Sequence, residues 1–149
     1  MAMKFTRQRV LLLALAGGLL LGGGGVCAMM TMAPPADLDL SLDKLGDQGR
    51  YHISVASELS PVTIGTMHTW TVSVTTPDGA PVSGAKVAMD GGMPQHGHGL
   101  PTTPRTLRET APGQYLVGGM KFSMPGWWTL TVDVDGAAGA DKATFNLVL

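Results

Sequence analysis

Cysteine is almost absent from this chain. The one thiol in 149 residues is Cys27, near the N-terminus. No intrachain disulfide can form, and the body of the chain cannot build a cysteine zinc site, a blue-copper centre or a catalytic thiol. A large excess of either charge is also missing. Ten Lys and Arg stand against eleven Asp and Glu, and no basic stripe marks a nucleic-acid partner. Aromatic residues make up 5% of the chain, so its core must be built mainly from Val, Leu, Ile, Met and Ala. Beyond the N-terminal segment no stretch carries helical periodicity. The apolar run Val10–Leu21 is shorter than the ~20 residues of a membrane span. Signs of catalysis are missing too. Gly-x-Ser-x-Gly and phosphate-cradling glycine loops do not occur, and Asp90 and Glu109 form no obvious carboxylate pair. The chain is not expected to be an enzyme.

The N-terminus has a clear pattern. Lys4, Arg7 and Arg9 precede Val10–Leu21, and Gly22–Gly25 and Val26-Cys27-Ala28 follow. A cationic start, a short apolar core and a small-x-Ala site describe a secretory signal over 1–28. Retention as an anchor and lipid attachment at Cys27 are the alternatives. Removing the leader's three cations leaves seven against eleven acids, a formal charge of −4. The expected location is periplasmic or extracellular, with a membrane tether as the variant. Residues 29–49, with Pro34-Pro35 and scattered Asp, read as a flexible tether, and 50–149 as one domain.

Within that domain, apolar and polar residues alternate with period two in short runs bounded by turns. Tyr51–Ser57, Met67–Thr76, Ala85–Met89, Arg105–Thr110, Gln114–Val117, Trp127–Val134 and Ala143–Leu149 read as seven strands. Pro77-Asp78-Gly79, Asp90-Gly91-Gly92, Ala111-Pro112-Gly113 and Asp135-Gly136 read as turns. The expected fold is all-β, an antiparallel sandwich of immunoglobulin-like type with about seven strands. Trp70 lies on the apolar face of its strand and is the candidate core tryptophan. Trp127 and Trp128 fall on opposite faces, so one of them should be core.

Chemistry concentrates in Met93-Pro94-Gln95-His96-Gly97-His98-Gly99-Leu100-Pro101, which holds two of the chain's four histidines. In extended backbone, residues i and i+2 point the same way, so His96 and His98 can converge on one ion, with Met93 three residues upstream. Thioether and imidazole together suit copper, above all Cu(I) rather than Cu(II). They suit zinc poorly, and calcium or magnesium still less. A closed site needs a ligand from elsewhere. Met124, in the second Pro-Gly loop, is the first candidate, and His68, at the start of the Trp70 strand, is the next. Met120 has less support. Each has a plain alternative: solvated loop histidines, a methionine packed under the loop, a strand-end histidine facing water. His52 reads as an ordinary strand residue, and Arg105 and Arg108 as a solvated strand face.

Two motifs then resemble a known family. Asp90-Gly91-Gly92-Met93-Pro94-x-His96-Gly97-His98-Gly99-Leu100-Pro101-Thr102 is followed by Tyr115-Leu116-Val117-x-Gly119-Met120-x-Phe122-x-Met124-Pro125-Gly126-Trp127-Trp128. In that order they resemble the YtkA-like domain family, which is related to the FixH-type proteins associated with assembly of cbb3 cytochrome oxidases. The resemblance covers about Met67–Leu149. It implies an exported or membrane-tethered immunoglobulin-like sandwich that handles copper, with Met93, His96, His98 and Met124 carried over as ligands. A cuproenzyme or a membrane assembly partner is implied as recipient. One departure is Leu100, where relatives often carry Met. Another is that the chain lacks the long membrane anchor expected of FixH proteins. The competing expectation is a metal-free interaction or adhesion module, with the histidine loop and an exposed tryptophan at its binding end.

Overall fold

The computed structural model describes residues 33–149. The expected signal segment and its cleavage site lie outside the described residues. From Ala33 onward the chain is built from nine strands: β1 (Asp43–Leu45), β2 (His52–Ser57), β3 (His68–Thr75), β4 (Lys86–Met93), β5 (His98–Gly99), β6 (Arg105–Ala111), β7 (Gln114–Met120), β8 (Trp127–Gly136) and β9 (Gly139–Val148). They form a five-stranded sheet in the order β1-β2-β3-β7-β6 and a four-stranded sheet in the order β5-β4-β8-β9. Every pairing of named strands is antiparallel. This is the expected all-β, immunoglobulin-like sandwich, with two more strands than the periodicity showed.

The alternation fixes which side chains go inside. Along β3 the burial alternates strictly, with Trp70, Val72 and Val74 inward and Thr69, Thr71 and Ser73 half-buried on the outer face. Along β8, Trp128, Leu130, Val132 and Val134 go inward. The two rows meet Phe122, Phe145, Met93, Met120 and Tyr115 in one core. Burying each large apolar side chain contributes about 1.5–3 kcal/mol, so a cysteine-free domain has a sufficient core.

Three local differences from the sequence reading have physical causes. First, β4 does not end at Asp90-Gly91-Gly92 but runs on to Met93, with Gly91 opposite Leu130 and Gly92 opposite Thr129. A Cβ on Gly91 would lie 2.8 Å from both the Leu130 side chain and the Thr129 carbonyl. This glycine therefore permits close approach of strands rather than making a turn. Second, the histidine stretch is the turn and return strand of a hairpin, because β5 pairs with the end of β4. Third, residues 29–49, read as tether, include β1, whose Lys44 is opposite Ile53. The sandwich therefore begins before residue 50.

A buried carboxylate holds that N-terminal part down. Asp141, 6% exposed, accepts N–H groups from Gln48 (2.8 Å), Arg50 (2.8 Å), Tyr51 (3.3 Å) and Lys142 (2.9 Å). The Tyr51 hydroxyl donates to the Gly139 carbonyl (3.0 Å) and accepts from Ala138 N–H (2.9 Å). The two interactions fix the β1–β2 connection against the β8–β9 hairpin.

Candidate functional site

The β4–β5 hairpin places the first group of candidate ligands. Met93 and His98 are register partners. The Met93 carbonyl accepts N–H groups from His96 (3.0 Å) and Gly97 (2.9 Å), which closes the turn over Pro94–Gly97. Cross-strand partners share a face. Met93 is on the core face and 1% exposed, while His98 and His96 are exposed. The thioether thus lies beneath the hairpin and the imidazoles lie at its mouth.

Hydrogen bonding selects the tautomer of one ring. His98 Nδ1 is 2.9 Å from the Gly99 carbonyl, its partner in the hydrogen bond. A carbonyl only accepts, so Nδ1 carries the proton and, in the neutral ring, Nε2 keeps its lone pair. That is the form in which imidazole binds a metal. The His96 and His98 ring centres are 5.9 Å apart with planes inclined at 39°. Metal–nitrogen bonds of about 2.0 Å let two imidazoles on one ion have centres up to roughly 6.3 Å apart. The observed spacing is inside that limit.

The loop between β7 and β8 closes against the hairpin. Gly126 adopts φ +132°, and a Cβ there would be 2.8 Å from the Met93 terminal methyl. Gly126 also exchanges main-chain hydrogen bonds with Leu149, at 2.8 and 3.0 Å. Trp128 is fully buried, donates its indole N–H to the Met124 carbonyl (3.0 Å), and meets the His98 ring edge to face at 5.7 Å. Met124 is half-buried and packs on the core. Met93 touching Gly126, His98 touching Trp128, and Trp128 bonded to Met124 bring the two loops to one end of the sandwich.

His68 is at this end as well, one layer deeper. It is 3% exposed and stacks near Phe122 (5.8 Å), which in turn stands edge to face on Trp128 (5.2 Å). Its Nδ1–H donates to the Thr66 carbonyl (3.0 Å), and its Nε2 accepts the Trp70 indole N–H (2.8 Å). Neither nitrogen has a lone pair free for an ion in this arrangement. The exposed strand-end alternative does not describe His68 either, because the ring belongs to the core hydrogen-bond network. Met120, its register partner, is fully buried. His52 is exposed and pairs with Asp43 at 2.7 Å. Among the described residues no three His, Cys, Asp or Glu side chains gather into a metal-binding group. A metal at the hairpin would therefore need thioether ligands beside the two imidazoles, a donor set that suits copper.

Sequence reasoning missed Trp128 as the contact that seats His98, although it did place Trp127 and Trp128 on opposite faces. Trp127 is half-buried, with its indole N–H on Asn146 Oδ1 at 3.1 Å. Sequence reasoning also missed Asp141, since one carboxylate within β9 carries no pattern.

A family model described as YtkA-like matches residues 46–133, a span that includes both loops. No curated protein matches the chain. Among solved structures, a DUF4426 family protein from Pseudomonas aeruginosa PAO1 aligns with a TM-score of 0.50 at 18% identity, covering 68% of this chain and 91% of that one. The ZirS C-terminal domain aligns with a TM-score of 0.39 at 12% identity, covering 99% of this chain and 88% of that one. The first of these likenesses is one of fold alone.

Proposed function

The chain belongs to the YtkA-like family, and on that premise we propose that it is an exported, non-enzymatic copper-binding protein. His96 and His98 hold Cu(I) at the mouth of the β4–β5 hairpin, and Met93 and Met124 supply thioethers from beneath it and from the neighbouring loop. The observation that carries the reading is the pair of imidazoles with centres 5.9 Å apart, one with its Nε2 left free by the Gly99 carbonyl. Bound copper would be the cargo, stored or passed to a cuproenzyme or to a membrane-bound oxidase under assembly. Two soft sulfurs and two nitrogens favour Cu(I) over Cu(II). An exposed pair of histidines leaves the ion accessible to a recipient. His68 is left out of the proposed ligand set because both of its ring nitrogens are bonded within the chain.

The test is competition for Cu(I) against a chromophoric chelator, comparing the wild type with H96A/H98A. The wild type should compete and the double variant should lose at least about 100-fold in affinity, as loss of two direct ligands requires. Equal affinity in the two proteins rules the proposal out. A second reading, a metal-free interaction module, draws on one observation: Met93 is 1% exposed and serves as core packing whether or not an ion is present.

A further inference from the structure

A second surface feature lies on the outer side of the five-stranded sheet, where the chain enters β3 and leaves β7. It is an open cleft of about 400 Å³. Its floor is Gly118–Gly119, which presents main chain in place of side chains. Its walls are Met67 and Leu107, each 58% exposed. Leu107 lies so closely over the floor that a Cβ on Gly118 would be 2.8 Å from its Cδ1. These are two of the most exposed large apolar side chains among the described residues, and they face one depression. Exposed apolar surface gathered in a concavity marks a contact site.

The two charged groups in the cleft differ. Glu58 is engaged, accepting Thr69 N–H (2.9 Å) and the Thr69 hydroxyl (2.6 Å). Arg105 forms no ion pair among the described residues, where the pairs are Lys44–Asp39 and His52–Asp43. The cleft thus offers one unengaged cation, two apolar walls and a main-chain floor. Arg105 opens β6 and is the register partner of Gly118 in the floor, so its cation stands beside the exposed main chain of the cleft. Glu58 repels a carboxylate, so the occupant's orientation is set with its negative end at Arg105.

We infer that this cleft docks the C-terminal end of a partner polypeptide, seating an apolar last side chain between Met67 and Leu107 and its terminal carboxylate on Arg105. A guanidinium binds a carboxylate through two parallel N–H bonds. The single cation beside two short apolar walls matches a terminal carboxylate next to one apolar side chain, and the open cleft leaves the rest of the chain free to continue outward. The inference does not rest on copper binding.

The full chain, with 15N and 13C-methyl methionine labels, would be titrated with three probes: N-acetyl-Ala-Leu as the free acid, the same peptide as its amide, and decanoate. The acid peptide should shift the Met67 methyl and the Gly118 and Gly119 amides, binding about 10-fold more tightly than the amide. R105Q should bring the acid down to the amide's affinity. H96A/H98A should bind the acid peptide as the wild type does, so failure here and failure of the copper reading stay separate. The inference is overturned by equal affinity for acid and amide, by shifts confined to other surfaces, by no shifts at millimolar peptide, or by decanoate binding that the peptide does not compete.

Discussion

The His98 imidazole stands edge to face on the Trp128 indole, with ring centres 5.7 Å apart. The same indole donates its N–H to the main chain of Met124. One buried side chain therefore seats the exposed ring of the hairpin and ties down the neighbouring loop.

Trp128 should report on the ion. Adding Cu(I) to the metal-free protein should change tryptophan emission at one equivalent, and W128F should remove most of that change. Trp70 and Trp127 remain as background. W128F keeps an aromatic ring on Phe122 but loses the hydrogen bond to Met124, so Cu(I) affinity should fall by about 3- to 10-fold. An emission change that persists in W128F places the ion away from His98.

Gly126 is the steric condition for Met93. Its φ of +132° disfavours any L side chain, and a Cβ would press on the Met93 methyl at 2.8 Å. G126A should cost about 1–3 kcal/mol and lower the melting temperature by roughly 5–10 °C. It should also weaken Cu(I) binding, because the displaced group is a proposed ligand. A melting temperature within a degree of wild type shows that the loop relaxes without cost.

His68 separates core from ligand. H68F leaves the Trp70 indole N–H buried without its acceptor, at a cost of about 1–3 kcal/mol. Cu(I) affinity of the folded variant should stay within about 3-fold of wild type, since both ring nitrogens are already engaged. A drop beyond 10-fold with the fold intact makes His68 a ligand.

Asp141 should confer acid sensitivity. Burial alone raises its pKa, but N–H groups of Gln48, Arg50, Lys142 and Tyr51 favour the charged form and hold it below the usual 3.8. A carboxylate depressed in the folded state contributes its full stability above the unfolded pKa of about 3.9 and loses it as pH falls through the folded value. D141N should therefore be destabilised by about 2–3 kcal/mol at pH 7, with the gap to wild type narrowing as pH falls below the unfolded pKa and through the lower folded one. Denaturant unfolding of both proteins between pH 2.5 and 7 checks this. A gap independent of pH means the charge plays no part.

Period two made most of the fold legible. In β3 and β8 the residues that read as inward, from Trp70 to Val74 and from Trp128 to Val134, are those that are buried. Glycine misled the reading where it served packing. Gly91 and Gly92 read as a turn and lie within β4, because Gly91 permits the approach of Leu130 and Thr129, far away in sequence, and Gly92 that of the His98–Gly99 return strand. Asp43–Leu45 is too short to show a period, and what fixes it is its pairing with β2, through a connection that Asp141, roughly a hundred residues on, holds at Gln48 and Arg50.

The candidate site was legible as a composition and less so as a geometry. The His96 and His98 ring centres are 5.9 Å apart, but His96 lies in the hairpin turn, so it is the turn and not an extended i and i+2 spacing that sets their separation, and Met93 is the register partner of His98. The second loop was named through Met124. Its actual links to the hairpin are Trp128 and Gly126, which carry no ligand chemistry. His68 reads as a ligand type in sequence, and its commitment to Trp70 and Thr66 is visible only once the chain folds.

The measurement that bears most directly on the central claim is X-ray absorption at the copper edge of the Cu(I)-loaded wild-type protein. Two-loop binding predicts a mixed shell, with nitrogen scatterers at about 2.0 Å and at least one sulfur at about 2.3 Å, and loss of sulfur in M93L/M124L. A shell of nitrogen and oxygen alone, unchanged in M93L/M124L, contradicts it.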